Sequence, residues 1–234
     1  FSRLNAELNA DTVQNQELEA RWEETFIQAG KAWQAVQPTR ASSQGGSTLT
    51  VSADQSILVS GINPDSDTYV VEFNSPVTGN VTGIRIDALP HESLPYNGPG
   101  RDHFGNFLVN GASIGAGPNF SEVTVALAAD NGGNRHGEFE EWESNLAEAE
   151  QRVPMALLAI PEEPIQVDRG GSLRISLSQS GAKGAGLGRF RISVTTGQKP
   201  REVLGLPYHL RALLTMTSAD RLNYEPGLAE RMNV

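Results

Sequence analysis

Two glycine-rich phrases, far apart in the chain, constrain its fold most. One is Gly98-Pro99-Gly100-Arg101 running into Gly105-Asn106-Phe107-Leu108. The other is Leu187-Gly188-Arg189-Phe190-Arg191-Ile192-Ser193-Val194-Thr195-Thr196. Each places a turn ahead of an extended segment, the punctuation of short strands joined by loops. The 24 glycines and 13 prolines among 234 residues exceed the usual combined share of about 12%, which suits many turns. Hydrophobic residues make up 38% and charged ones 20%, enough apolar material for a core and too little charge for general disorder.

A pass along the chain predicts strands at Thr48–Ser52 and Ser56–Ser60, joined as a hairpin by Ala53-Asp54-Gln55. Thr68–Phe73 and Val81–Leu89 follow, the first after the turn-forming run Asn63-Pro64-Asp65-Ser66-Asp67. A long loop spans His91–Gly105. Further strands are predicted at Phe107–Ile114, Glu122–Ala128, Met155–Ile160, Ile165–Val167, Leu173–Ser178 and Phe190–Thr196. Residues 3–33 carry a helical stripe (Leu18, Trp22, Phe26, Ala29, Trp33), either a helix packed on the sheet or the tail of an upstream helical domain. Phe139, Trp142, Leu146 and Ala149 predict a short amphipathic helix, and Pro207–Met216 and Pro226–Met232 predict helices near the C-terminus. The expected organisation is a helical segment over 1–36, a β domain over 37–199 and a helical segment over 200–234. The fold class is mainly β: an antiparallel β-sandwich of jelly-roll type with flanking α-helices at both termini. Parallel βαβ architecture is disfavoured, because no regular helices separate the strands.

The net charge is −10, with only 18 basic residues, and these are scattered. A phosphate-binding surface needs clustered Lys and Arg, so no nucleic-acid partner is expected. With no cysteine, disulfides, zinc–thiolate sites, Fe–S clusters and covalent c-type haem attachment within this chain are excluded. No run approaches the ~20 apolar residues of a membrane-spanning helix. The start at Phe1, inside a helical pattern, fits a mature or excised piece of a longer protein.

Three blocks of residues resemble a known module. The first is Trp33-Gln34 with Pro38, Gly45–Val51, Asp54, Ser56–Gly61, Asn63-Pro64 and Asp67-Thr68-Tyr69. The second is Gly83-Ile84-Arg85, Leu89-Pro90, Ser93-Leu94-Pro95, Gly98–Arg101 and Gly105-Asn106-Phe107. The third is Leu187–Thr196 followed by Leu206-Pro207. Over roughly residues 30–215 the chain resembles the accessory module of the large secreted c-type cytochrome proteins of planctomycetes and related bacteria. The resemblance implies a galactose-binding-like (discoidin-type) sandwich, an extracytoplasmic location (periplasmic or secreted), and cytochrome-type partners, with any haem on another domain or chain. It does not supply a ligand. The sequence departs from the module's pattern over Asn131–Arg152, and at Asn119-Phe120-Ser121-Glu122 and Ala185-Gly186.

Chemistry is sparse. None of His91, His103, His136 and His209 sits in a nucleophile motif. No acidic pair is singled out by spacing for glycoside hydrolysis. No catalytic residue is therefore assigned. His91-Glu92 and Asp102-His103 share one loop, and Asp87, Glu92 and Asp102 form a candidate set for Ca²⁺, which takes carboxylate and carbonyl oxygens from loops. Asn63, Asp65 and Asp67 mimic the start of a calcium loop, but Asx-turn chemistry explains them as well. Tyr96, Asn97, Arg101, Asp102, Phe104 and Asn106 form the candidate ligand site: sugar faces stack on rings, and sugar hydroxyls need polar partners. The same two rings could instead anchor the loop. Trp142 is expected on the buried face of its helix. Gly181–Gly188 predicts a flexible connection, and Arg189 and Arg191, on one strand face, either pair with acids or line a ligand groove. The expected function is non-catalytic binding of a glycan or other surface ligand. The alternative is a structural module that docks other domains or identical copies, a homo-oligomer included.

Overall fold

The computed structural model describes residues 33–129, 134–135, 138–139, 141–144, 155–168, 170–198 and 200–201. The first strands are β1 (Trp33–Ala35), β2 (Pro38–Ser43), β3 (Ser47–Val51), β4 (Ile57–Gly61), β5 (Asp67–Asn74), β6 (Gly79–Val81) and β7 (Gly83–Ala88). After the long loop come β8 (Leu108–Val109), β9 (Gly111–Ala116), β10 (Ser121–Val123), β11 (Val125–Ala129), β12 (Asn134–Arg135), β13 (Glu138–Phe139) and β14 (Trp142–Glu143). The last are β15 (Met155–Pro161), β16 (Ile165–Val167), β17 (Ser172–Gln179) and β18 (Arg189–Thr195).

Two antiparallel sheets face each other. One has seven strands in the order β11-β15-β7-β18-β4-β3, with β1 also pairing β18; the other has five, β10-β9-β17-β5-β2. The β-sandwich expected from the sequence is what forms. Its cause is the period-two alternation of apolar side chains. In β5, Tyr69, Val71 and Phe73 are buried, and in β17 Leu173, Ile175 and Leu177 are. They meet Ile84 and Ile86 of β7 and Phe190, Ile192 and Val194 of β18 in one core. Tyr69 and Phe190 stack across the two sheets at 6.0 Å with planes 11° apart. Each such side chain, fully removed from water, contributes about 1.5–3 kcal/mol.

Several expectations are corrected. Trp33, expected at the end of a helix, lies in β1 opposite Thr195, with Arg85 5.1 Å from its ring centroid. Its register against β18 joins residues 33–35 to the sandwich. Pro38–Ser43, where no strand is predicted, is the edge strand β2, bulged between Pro38 and Arg40. An edge needs no apolar alternation, and its first position tolerates proline. The predicted strand Glu122–Ala128 is two strands: β10 pairs β9 in one sheet and β11 pairs β15 in the other, so the chain changes sheets at Thr124. The predicted helix through Phe139 and Trp142 is strand in its described part: Phe139 pairs with Asn134 and Trp142 with Val109. A three-and-four spacing of apolar residues is satisfied here by strand burial, with Trp142 edge-on to Phe107 at 4.7 Å. The helices expected over 3–32 and beyond 206 lie outside the described residues.

Candidate functional site

The two glycine-rich phrases come together at one end of the sandwich. Gly100 and Leu187 form an isolated antiparallel bridge. The Gly188 amide donates to the Pro99 carbonyl at 2.7 Å, and the Arg101 amide to the Gly186 carbonyl at 2.9 Å. Glycine is required by contact. A Cβ on Gly188 would lie 2.6 Å from a methyl of Leu94, and one on Gly100 would collide with the Asn106 carbonyl and lie 2.5 Å from the Phe107 nitrogen. The stitched loops share this end with the Gly61–Ser66 connection and the turn before β3.

Arg101 holds that junction. Its guanidinium donates to Ser47 Oγ at 3.1 Å, to the Ile62 carbonyl at 3.0 Å and to the Gly61 carbonyl at 2.8 Å. Burial pushes the Tyr69 hydroxyl pKa upward, and Arg101 opposes that only in part. Next to this, Asp67 accepts from Ser43 Oγ (2.6 Å), Ser47 Oγ (2.9 Å) and the amides of Gly45 and Thr68 (both 2.7 Å). Burial raises its pKa, and the four donors outweigh burial, leaving the carboxyl below its ordinary value. Asn63, read from the sequence beside Asp65 and Asp67 as a calcium-loop look-alike, donates to the Arg101 and Gly184 carbonyls. Asn63 and Asp67 thus tie their segment to distant loops, and these bonds are neither those of a calcium loop nor those of an Asx-turn.

Asp102 shapes the tip of the loop. One carboxylate oxygen accepts from the amides of Phe104 (2.8 Å) and Asn106 (2.6 Å), and the other from Asn106 Nδ2 (3.2 Å). Tyr96 and Asn97 both take left-handed backbone conformations (φ 51° and 56°). Asparagine adopts this region readily, but for Tyr96 it costs energy and persists only when the surroundings impose it. The result is display. Tyr96 is 56% and Phe104 58% exposed, and with Ile62 they are the exposed large hydrophobic residues among those described. The Tyr96 and Phe104 ring centroids lie 6.4 Å apart, tilted 32°, and His103 meets Phe104 edge-on at 5.0 Å.

The six candidate ligand residues thus share one loop but divide by role. Tyr96, Asn97 and Phe104 are presented to solvent. Arg101, Asp102 and Asn106 are engaged in building the loop, so their part is positioning. Both rings are more than half exposed, so neither is buried against the sandwich as an anchor. Ile62 was not singled out in the sequence, because an isolated apolar residue before Asn-Pro carries no pattern.

The candidate Ca²⁺ set is not assembled. Asp87 sits on β7, nearly buried, paired with Arg85 at 3.1 Å. The oxygens of Asp102 serve its own turn, and Glu92 is exposed on the loop. Among the described residues no group of three His, Asp or Glu side chains is placed to hold a metal. His91 Nδ1 contacts Ser93 Oγ at 2.7 Å, within its own turn. Of the two arginines, Arg189 is acid-paired, meeting Asp54 at 2.7 Å and donating to Ser56 Oγ, whereas Arg191 Nε is buried with no hydrogen-bond partner. Burial raises the Asp54 pKa, but Ser56 and Arg189 outweigh it and leave the carboxyl below its ordinary value.

No family model and no curated protein sequence matches the chain. Among solved structures, it is similar to a carbohydrate-binding module described for specific mannan recognition, at 10% identity and TM-score 0.28, over 72% of this chain and 90% of that one. It is also similar to one of the carbohydrate-binding modules of the β-sandwich superfamily described for promiscuous specificity, at 14% identity and TM-score 0.26, over 70% of this chain and 55% of that one. Both scores are low, and the fold stands on the strand pairing of this chain itself. Among the described residues no helix is long and apolar enough to cross a membrane.

Proposed function

We propose that this chain is a non-catalytic carbohydrate-binding module whose binding surface is the loop platform of Tyr96 and Phe104. The supporting observation is that these two rings are solvent-exposed, neighbouring and carried by a hydrogen-bonded loop, with the Asp102 turn at Phe104 and the stitch to Gly186 and Gly188 behind them. Exposing two aromatic rings in water is unfavourable unless something covers them. A pyranose face does so through its axial C–H groups, while Asn97 offers donors and an acceptor to the hydroxyls. Little ordering is needed on binding, which favours affinity. An extracytoplasmic location is part of this proposal. That location, and the neighbourhood of cytochrome-type domains, are supported by the sequence resemblance.

The test is affinity electrophoresis in gels containing mannan, galactan, xylan or β-glucan. At least one polymer should retard the chain, and Tyr96→Ala and Phe104→Ala should each weaken retardation about tenfold while leaving the unfolding midpoint unchanged. If none of a broad set of polysaccharides retards it, and light scattering shows concentration-dependent self-association, the module is one of assembly instead.

A further inference from the structure

The outward face of the seven-stranded sheet is shut away from water. One in-register row crosses five strands: Ala128 of β11, Leu158 of β15, Arg85 of β7, Ser193 of β18 and Ala35 of β1. These side chains point away from the core, since the alternate positions Leu157, Ile86, Ile192 and Val194 fill it. Yet Leu158 is 0%, Ser193 3%, and Ala128 and Arg85 8% exposed. The matching row outside the five-stranded sheet is Ser113, Ser176, Val70 and Ser42, and none of these is buried. A bare sheet face in this fold thus leaves its outward side chains in contact with water. Leu158 is flanked by Ala128 and Ala156, which are too short to close over it. The Nε of Arg191, on the same face, is buried as well. A layer therefore lies on this face. The exposures are those of one chain alone, so the layer belongs to the chain.

We propose that this face is the docking surface for the chain's own residues 3–32, which lie outside the described residues, and that their apolar stripe makes the contact. The chain reaches β1 on this face. Trp33 stands opposite Thr195, its ring centroid lies 5.1 Å from the Arg85 guanidinium, and a Cβ on Gly83 would lie 3.1 Å from the ring. The preceding sequence supplies the rest. Leu18, Trp22, Phe26 and Ala29 form one stripe that runs into Trp33, while Glu17, Glu19, Glu23 and Glu24 take the other side. The reach suffices: from Leu18 to Trp33 even a helix extends about 22 Å, and the row from β1 to β11 covers four strand spacings, about 19 Å. Leu158 and Ala128 offer apolar surface at the far end, and the stem of Arg85 offers more in the middle. The C-terminal segment is the rival occupant, because Pro200 also lies over Gly83, 2.8 Å from the same Cβ position. Residues 3–32 are preferred because their stripe is continuous with Trp33, whereas Leu210, Leu213 and Leu214 begin ten residues beyond Pro200. The stripe is then covered within the chain, and the loop end and the five-stranded face stay open to other molecules.

The experiment is paramagnetic broadening of backbone amides in the whole chain. The chain has no cysteine, so Glu24→Cys carries a single spin label, on the charged side of the stripe. The label should broaden the amides of Leu158, Arg85 and Ser193 and leave those of Val70 and Ser176 sharp. Glu17→Cys repeats the measurement should Glu24→Cys misfold. Adding Trp22→Ser and Phe26→Ser should abolish the broadening; broadening that persists there refutes the stripe as the contact. The proposal also falls if neither label broadens Leu158, Arg85 and Ser193. It falls if a label at Ser218→Cys broadens them instead, which makes the C-terminal segment the layer. It falls equally if the broadening passes from a labelled chain to a separate isotopically enriched copy, which makes the layer a second molecule.

Discussion

Replacing Gly100 by alanine isolates the stitch between the two glycine-rich phrases. Nothing in the backbone conformation of Gly100 forbids alanine, since its φ lies outside the left-handed region. The penalty is contact alone. The added Cβ would collide with the Asn106 carbonyl and lie 2.5 Å from the Phe107 nitrogen, against an ordinary contact near 3.4 Å. The two backbone segments must therefore separate by about 0.9 Å or more. That opens the hydrogen bonds from the Gly100 amide to Gly105 (2.8 Å) and from the Asp102 amide to Asn106 (3.2 Å). Overpacking of this kind costs about 1–3 kcal/mol, and each backbone bond about 1 kcal/mol more. The expected loss is about 3–5 kcal/mol, or roughly 10 °C in Tm for a domain of this size. Urea unfolding followed by circular dichroism measures it, with the slope m unchanged. Gly111→Ala is the control, because its Cβ would meet nothing within 4 Å and should cost no more than about 0.5 kcal/mol. Equal stability of the two variants would refute the reasoning.

Asp67→Asn should destabilise by about 2–3 kcal/mol at pH 7, because several donors then face a neutral amide. The folded-state pKa of Asp67 is depressed, so its contribution is present above the unfolded value near 3.9 and fades as the pH falls through the folded value. The gap between parent and variant in urea midpoint should accordingly narrow below about pH 4. Trp142→Ala should cost about 3–5 kcal/mol in the same assay, since the ring is fully buried against Phe107. Asp54→Asn should cost less than about 1 kcal/mol, and less again in 1 M salt, because its bridge to Arg189 is partly exposed.

Much of the sandwich was legible from alternation. β5, β16 and β17 sit within a residue or two of where the apolar pattern predicts, because each buries one face and a one-residue slip would turn that face outward; β15 and β18 are as well placed, though much of each is buried on both faces. The 53–55 turn also holds: Val51 pairs with Ile57 across it. β1 and β2 were not legible. Trp33 fits a helical stripe equally well, and Pro38–Ser43 is an edge strand whose residues need no pattern. Trp142 misled for a related reason, as a fully buried ring between short polar runs satisfies either period. At the candidate site, the loop and its aromatics were readable as a composition, but the division of labour was not. Arg101 and Asp102 look like ligand residues in sequence. Their partners, Gly61, Ile62 and Ser47 for Arg101 and its own turn for Asp102, are set by how the loops fold back.

The most direct test of the central claim is the mapping of backbone amide shifts while the polysaccharide that best retards the chain, cut to short oligosaccharides, is added. The loop-platform account predicts saturable shifts concentrated in residues 91–107 and 61–66, abolished in the Tyr96→Ala, Phe104→Ala double variant. Shifts confined to the outward face of the five-stranded sheet, around Glu72, Arg174 and Ser176, with these loops silent, would contradict it.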